Sequence, residues 1–175
     1  MSRRGTRLGV DVGEVRVGLA ASDPDGLIAT PVATLSRDQE SLADVIVIAQ
    51  QAHERQALEV VVGLPRSLNG TEGIAAERAR RYAATLHARL DGIAVRLWDE
   101  RLSTVDAHRA LAASGVPGRR QRQSIDQAAA VLILQSALDV ERNTGKPGGE
   151  VIGGRKPRRP RAATTTKEGN REPTS

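Results

Sequence analysis

Three acidic positions of this sequence fall where carboxylates could share a cation. Asp11 interrupts an apolar run near the start of the chain, although Asp is depleted in strands. The pair Asp99 and Glu100 directly follows an apolar stretch, and Asp126 lies near the start of another. Each acid also has a purely structural explanation: a turn for Asp11, a polar junction for Asp99 and Glu100, and a favourable position at a helix start for Asp126. If the three positions converge, a cation must offset their repulsion.

The identity of that cation follows from the ligand types that the chain offers. The sequence has no Cys, and its three His residues are too far apart to form a local ligand motif. Carboxylate oxygens are hard ligands that favour Mg²⁺ or Mn²⁺. One or two such ions can activate a water and stabilise the leaving oxygen in phosphodiester hydrolysis. We therefore expect Mg²⁺ or Mn²⁺ as cofactor.

The charge distribution points to a phosphate-bearing partner. The 175 residues carry a net charge of +5, yet residues 8–141 hold 14 Lys and Arg against 18 Asp and Glu. The positive charge therefore lies on the ends, with +3 on residues 1–7 and +6 on residues 142–175. Tyr82 and Trp98 are the only aromatic residues, which argues against a protein that stacks several bases on its rings. Contacts to phosphates remain open.

Apolar spacing predicts the elements that must position the acids. Three runs (8–12, 15–21 and 27–35) predict an antiparallel meander, and two further strands are expected at 58–63 and 93–98. Helical spacing predicts helices over 38–54, 71–90 and 125–141, and a capping box at Ser103 with a glycine stop at Gly115 predicts one over 103–115. The order predicts one α/β domain, with a mixed sheet of three antiparallel and then two parallel strands, flanked by helices.

The boundaries of the domain follow from capping signals and composition. Ser124 with Gln127 forms a capping box that would start the last helix and put Asp126 in its first turn. Beyond Arg142 the chain is rich in Gly, Pro, Thr, Lys and Arg, a composition that buries little apolar surface. We expect a basic extension over 1–6, the domain over 7–142 and a disordered basic tail over 143–175.

Five segments resemble the YqgF (RuvX) family in order and spacing. They are Leu8–Gly13, Arg16–Ala20, Val62–Pro65 with Asn69–Glu72, Asp99–Thr104 and Asp126–Ala130. The resemblance implies an RNase H-like fold related to the RuvC resolvases, and a nuclease that trims the 5′ end of precursor 16S rRNA in ribosome biogenesis. It also implies that Asp11, Glu100 and Asp126 are the catalytic metal ligands. Asp99, next to Glu100, is expected to orient one of these ligands or a metal-bound water.

Candidate substrate contacts come from two sources. The resemblance implies Arg16 as a substrate contact. It also implies Arg101, Ser103 and Thr104 as anchors for phosphate oxygens or supports for Glu100. The residues themselves suggest Asn69 in a polar loop, Arg78 on a helix, and Arg119, Arg120 and Arg122 in a segment taken as a loop before Asp126. Many relatives carry a basic residue between Gly13 and Arg16, where this chain has Glu14 and Val15, so that contact is in doubt here.

Several functions remain open at this stage. Precursor rRNA, within or outside ribosomal particles, is favoured as substrate over a four-way DNA junction. Cutting a junction at two symmetric positions would require a dimer. A noncatalytic rRNA-binding assembly factor is a further alternative. An actin-like kinase would need two such domains, and 175 residues supply one. With no apolar stretch near 18 residues, we expect a soluble cytoplasmic protein without a membrane partner.

Overall fold

A six-stranded mixed sheet forms the centre of the molecule. The computed structural model describes residues 3–103 and 119–153, so Thr104, the helix expected over 103–115 and the chain from 154 onwards lie outside its description, apart from Ser103. The strands are β1 (Arg7–Val12), β2 (Arg16–Ser22), β3 (Ala29–Ser36), β4 (Glu59–Leu64), β5 (Ala94–Asp99) and β6 (Glu150–Val151). The helices are α1 (Ala43–Glu54), α2 (Ile74–Arg89) and α3 (Arg119–Thr144), with a short 3₁₀ turn at Glu100–Leu102.

The order of the strands is β3-β2-β1-β4-β5-β6. Strands β1, β2 and β3 pair antiparallel, while β4 joins β1 and β5 joins β4 in parallel. The predicted α/β class and mixed sheet are therefore confirmed. Because β1 and β4 are parallel neighbours in the middle of the sheet, the carboxyl ends of β1, β4 and β5 meet at one edge, where sites in such sheets gather.

The sheet separates two apolar layers. Helices α1 and α2 cover one face, where Ile48, Leu86 and Leu97 are among the buried residues. Helix α3 covers the other face and buries Ala130, Ile133 and Leu134 against the strands. None of the helices in the described part of the chain has the length and apolar character that crossing a bilayer requires.

Helix α3 begins earlier than the sequence predicted. It starts at Arg119, so Ser124 lies inside the helix and the predicted capping box is wrong. Asp126 consequently lies about two turns into the helix and not in its first turn. The physical reason is that residues 119–123 are Arg and Gln, which are good helix formers and extend the helix backwards.

The boundary expected for the disordered tail, residue 143, is too early in the chain. Helix α3 continues to Thr144, and the chain then returns to add β6 to the edge of β5, where Arg96 pairs with Val151. Residues 143–153 are thus part of the fold. A strand of two residues is too short to show the alternating pattern by which the other strands were predicted.

The basic residues at the start of the chain are also part of the fold. Arg7 is 1% exposed and its guanidinium contacts Glu141 at 3.0 Å. Arg3 binds the same carboxylate at 3.0 Å and Glu59 at 2.9 Å, while Arg96 binds Glu59 at 2.7 Å. The expectation of a free extension over residues 1–6 is therefore wrong for Arg3, because two buried glutamates draw it onto the domain.

The network governs the ionisation of Glu141. Burial acts to raise the pKa of this carboxyl, but the hydrogen bond from Arg3 and the charges of Arg7 and Arg3 outweigh burial and hold the pKa below its ordinary value. Glu141 is therefore charged in the folded protein, and removing its charge would leave Arg7 buried without its counter-ion.

We predict that Glu141→Gln lowers the free energy of unfolding by about 3 kcal/mol, because breaking a buried ion pair strands its partner. Urea unfolding measures this. The control is Asp139→Asn on the same helix, which removes an exposed ion pair with Arg142 and should cost about 1 kcal/mol or less. Equal losses in the two variants would contradict a stabilising role for the buried network.

Candidate active site

Asp11 lies near the end of β1 with a glycine beside it on each neighbouring strand. Gly18 of β2 is its antiparallel partner. The parallel register that pairs Val10 with Val62 puts Gly63 of β4 on the other side. Alternate residues of a strand share a face, so Asp11 faces α3, as Gly9 does. The residue is 4% exposed, which makes Asp11 a buried acid under α3.

Glu100 occupies the space above one of these glycines. A Cβ on Gly63 would lie 2.6 Å from Glu100 Oε1, so the carboxylate rests directly over the backbone of β4. Glu100 is 3% exposed. Neighbouring strands are about 4.8 Å apart, so Asp11 and Glu100 lie side by side on the same face of the sheet. The structure thus brings together two of the three acids that the sequence singled out.

Asp126 reaches the same region from α3 but has a different partner. A Cβ on Gly18 would lie 2.0 Å from the backbone oxygen of Asp126, so the helix touches β2 at this point, next to Asp11. The Asp126 carboxylate accepts a hydrogen bond from Arg16 Nε at 2.7 Å. Over residues 3–103 and 119–153, no group of three acidic or His side chains is close enough to hold one ion. A three-acid metal site therefore stays a prediction.

Asp99 shapes the turn that carries Glu100. Its carboxylate accepts hydrogen bonds from the Arg101 amide at 3.0 Å and the Arg101 guanidinium at 2.6 Å, and Arg66 lies 3.5 Å away. The Arg101 side chain holds the pKa of Asp99 below its ordinary value, against the effect of partial burial. The Ser103 hydroxyl donates to the Glu100 carbonyl at 2.8 Å. Asp99, Arg101 and Ser103 thus support the backbone of Glu100.

Comparison with known proteins places the chain in a family. A sequence model of the RuvX family, described as "Holliday junction resolvase", matches residues 5–140. This chain belongs to the RuvX family. A protein of Kineococcus radiotolerans is 56% identical over 157 residues, covering 90% of this chain and 83% of the relative. One of a Nocardioides species is 50% identical over 152 residues, covering 86% and 97%. Both carry the name "Putative pre-16S rRNA nuclease".

A solved structure shows the same fold. The structure of Thermus thermophilus RuvC superimposes with a TM-score of 0.51 at 14% sequence identity, covering 83% of this chain and 99% of RuvC. At this identity the likeness concerns the fold alone. It confirms the RuvC-related, RNase H-like architecture that the sequence motifs implied.

Hydrogen bonds from within the loop and from Arg101 hold the loop after β4 in this RuvX chain. The Asn69 side chain accepts a hydrogen bond from the Thr71 amide at 3.0 Å, so its oxygen organises the loop. Arg101 donates to the Leu68 carbonyl at 3.4 Å, and Gly70 adopts a φ of +85°. These contacts present Leu68 to solvent with 96% of its surface exposed. No sequence signal singled out Leu68, since a loop leucine has no pattern of its own.

The structure places the other predicted substrate contacts on two helices. Arg78 on α2 is half-buried and makes no hydrogen bond or ion pair within the described residues. Arg119, Arg120 and Arg122 belong to the first turns of α3, the helix that carries Asp126, and not to a loop. Sequence reasoning missed Arg66, which lies between Asp99 and Glu72 at 3.5 Å from each.

We predict that Gly18→Ala costs about 2 kcal/mol or more of unfolding free energy, because its Cβ meets the α3 backbone and the helix must move. Gly73→Ala is the control, since a Cβ there meets nothing within 4 Å. Chemical denaturation of both variants provides the measurement. If Gly18→Ala unfolds at the same denaturant concentration as the control, α3 does not depend on this close approach.

Proposed function

We propose that this protein is a metal-dependent nuclease that hydrolyses phosphodiester bonds at the 5′ end of precursor 16S rRNA. The observation that carries the proposal is the pair of buried carboxylates, Asp11 and Glu100, side by side at the carboxyl ends of β1 and β5, with Asp126 next to them. The names of the relatives at 50–56% identity favour this substrate. Precursor rRNA as substrate would place the protein in the cytoplasm, among assembling ribosomal particles.

The donors of the site fit Mg²⁺ or Mn²⁺. Asp11 and Glu100 supply hard oxygen ligands from a protected position, and two carboxylates so close together favour a cation between them. When bound, such an ion supplies a Lewis acid and an activated water for phosphodiester hydrolysis. Asp126 would join these two ligands on releasing Arg16, whose guanidinium now balances its charge.

The remaining residues of the site prepare it for an anionic substrate. Arg101 and Arg66 neutralise Asp99, so this acid adds little repulsion towards a phosphate. Arg78, which makes no hydrogen bond or ion pair within residues 3–103 and 119–153, could bind a phosphate oxygen, and Arg16 could bind one on leaving Asp126. Arg119, Arg120 and Arg122 add positive charge at the start of α3. Together they would hold the RNA backbone across the edge of the sheet where the acids lie.

A four-way DNA junction is the second candidate substrate. The description of the matching family model favours it. A noncatalytic rRNA-binding assembly factor would keep the fold and the basic residues while the acids performed no hydrolysis. The three functions differ in what is cut and in whether Asp11 is needed, so one set of assays separates them.

We predict that Asp11→Asn reduces Mn²⁺-dependent cleavage of labelled precursor 16S rRNA at least about 100-fold. Mutation of a residue that only hydrogen-bonds to a metal ligand already lowers metal affinity or activity about 10- to 100-fold. The control is Asp25→Asn, an exposed acid in the turn between β2 and β3, which should retain activity. A synthetic four-way junction is assayed in parallel.

Each outcome of this assay decides something. Cleavage of the junction alone would replace the rRNA assignment by a resolvase. Binding of the RNA without cleavage of either substrate would indicate an assembly factor. Full activity of a folded Asp11→Asn protein would exclude this site as the catalytic centre.

We predict that Arg16→Met increases the affinity for Mn²⁺ about two- to fivefold, because a partly exposed ion pair contributes roughly 0.5–1 kcal/mol and Asp126 no longer needs to break one. Titration of the protein with Mn²⁺, followed by the electron paramagnetic resonance of the free ion, measures this without any turnover. Arg142→Met is the control, since its partner Asp139 lies elsewhere on α3. A weaker affinity in Arg16→Met would show that Asp126 is not a metal ligand.

A further inference from the structure

Leu68 is the most exposed large apolar residue among residues 3–103 and 119–153, with 96% of its surface open to solvent. Its neighbours in the loop between β4 and α2, Ser67 and Asn69, are polar, so the apolar surface here is one side chain and not a patch. Single exposed leucines are common in proteins. The way in which the loop holds this one, and the place where it does so, distinguish Leu68 from the others.

A closed turn fixes the position of Leu68. The Gly70 amide donates to the Ser67 carbonyl at 2.8 Å, which makes Leu68 the second residue of a β-turn. The Ser67 amide donates to the Thr71 carbonyl at 3.0 Å and closes the base of the turn. The Leu68 carbonyl accepts a hydrogen bond from Arg101 at 3.4 Å. The polar groups of the loop are thus bonded to the protein, while the leucine side chain is left to solvent.

This turn is attached to the candidate site. Arg101 directly follows Glu100, and its guanidinium binds both the Asp99 carboxylate, at 2.6 Å, and the Leu68 carbonyl. The loop leaves β4 one residue after Gly63, whose backbone lies under the Glu100 carboxylate. One guanidinium therefore links the position of Leu68 to the turn that carries the buried acid.

The chain has no Phe, Tyr or Trp at its surface with which to hold a base. Proteins that bind unstacked bases commonly stack them on aromatic rings. Tyr82 and Trp98 are the only such residues of the sequence, and both are buried in the core. An aliphatic side chain can take a different part, because Leu, Ile or Met inserted between two bases separates a stacked step.

We propose that Leu68 is a wedge that enters between two neighbouring bases of the nucleic acid bound at the candidate site. The proposal rests on the proposed nuclease function, which sets where the strand runs. Separating two bases has a cost, and burial of the leucine side chain between them offsets it. The wedge holds one base step in register with Asp11 and Glu100. A protein partner fits this surface less well, because a specific interface needs a broader apolar area.

Local unstacking can be measured without cleavage. The probe is a single-stranded RNA that spans the mature 5′ end of 16S rRNA and carries 2-aminopurine at one position at a time, since this base brightens on losing its stack. In the absence of divalent metal, we expect the wild type to raise the fluorescence about twofold or more at one or two adjacent positions. Leu68→Ala should abolish that rise and weaken RNA binding about threefold, whereas Leu68→Met should retain both.

Leu27→Ala is the matched control, because it makes the same change at the opposite end of the sheet. Leu27 is half-exposed and lies between β2 and β3, beside the start of β1. It should leave the fluorescence rise and the affinity unchanged. Because Leu68 buries almost none of its surface, its variants should unfold at the denaturant concentration of the wild type. A rise that persists in Leu68→Ala, or that occurs at no position, would overturn the proposal.

Leu68→Trp tests the contact directly. An indole that stacks on bases loses fluorescence, while the buried Trp98 contributes a constant background. We expect the RNA to quench the added signal in Leu68→Trp and to leave that of Leu27→Trp unchanged. Quenching by a four-way DNA junction alone would support the wedge and assign it to DNA. Quenching by neither nucleic acid would refute the wedge and leave this surface to a protein partner.

Failure of the wedge and failure of the nuclease function give different results. A protein that unstacks the labelled step but cuts no RNA would keep the wedge and lose the nuclease. A protein that cuts precursor rRNA equally well with and without Leu68→Ala, and unstacks no base, would keep the nuclease and lose the wedge.

Discussion

The contact of α3 with the middle of the sheet is the constraint on which the candidate site depends. A Cβ on Gly9 would lie 2.6 Å from Leu134 Cβ, and one on Gly18 would lie 2.0 Å from the Asp126 carbonyl. Glycine is thus required at two points where the helix backbone or its first side-chain atom meets the strands. Without this close approach Asp126 would be lifted away from Asp11. The absence of a side chain at Gly63 likewise makes room for the Glu100 carboxylate.

The charged residues at the two ends of the sheet have different roles. At the end where β1 and β4 begin, Arg7 and Glu141 are buried together with Glu59 and its arginines in closed pairs. Such pairs hold the start of the chain onto α3 but are not available to a ligand. At the other end, where Asp11 and Glu100 lie, Arg16 pairs with Asp126 and Arg101 pairs with Asp99. Arg3 is therefore part of the fold, which differs from the basic extension that was expected over residues 1–6.

The sequence was sufficient for features that repeat locally or form motifs. The apolar runs predicted β1 to β5, and the order of the elements predicted the mixed sheet. Asp11 was singled out because Asp is uncommon in strands, and Glu100 because it directly follows an apolar run and matches a family motif. In contrast, the start of α3 was missed, since Gly118 before Arg119 suggested a loop while the following Arg and Gln residues favour a helix.

Pairings between distant residues could not be predicted in the same way. Arg16 and Asp126 are 110 residues apart, and no periodic pattern joins them. The partner of Asn69 is a further example, because its amide oxygen accepts a hydrogen bond from the Thr71 amide that no pattern in the sequence indicates. A contact of Asn69 with the substrate stays a prediction. Packing and register, which set these partners, depend on the whole fold and not on a short segment.

The pairing of Arg16 with Asp126 links the two halves of the proposed chemistry. Three carboxylates at one sheet edge repel one another, and Arg16 offsets that repulsion by binding one of them. A substrate phosphate competes with Asp126 for the same guanidinium, because both are anions that arginine binds through its N–H groups. In the proposed nuclease, binding of the RNA backbone would therefore free Asp126 to join Asp11 and Glu100. On this proposal the third ligand would become available when the phosphodiester arrives, and RNA binding and cation binding would strengthen each other.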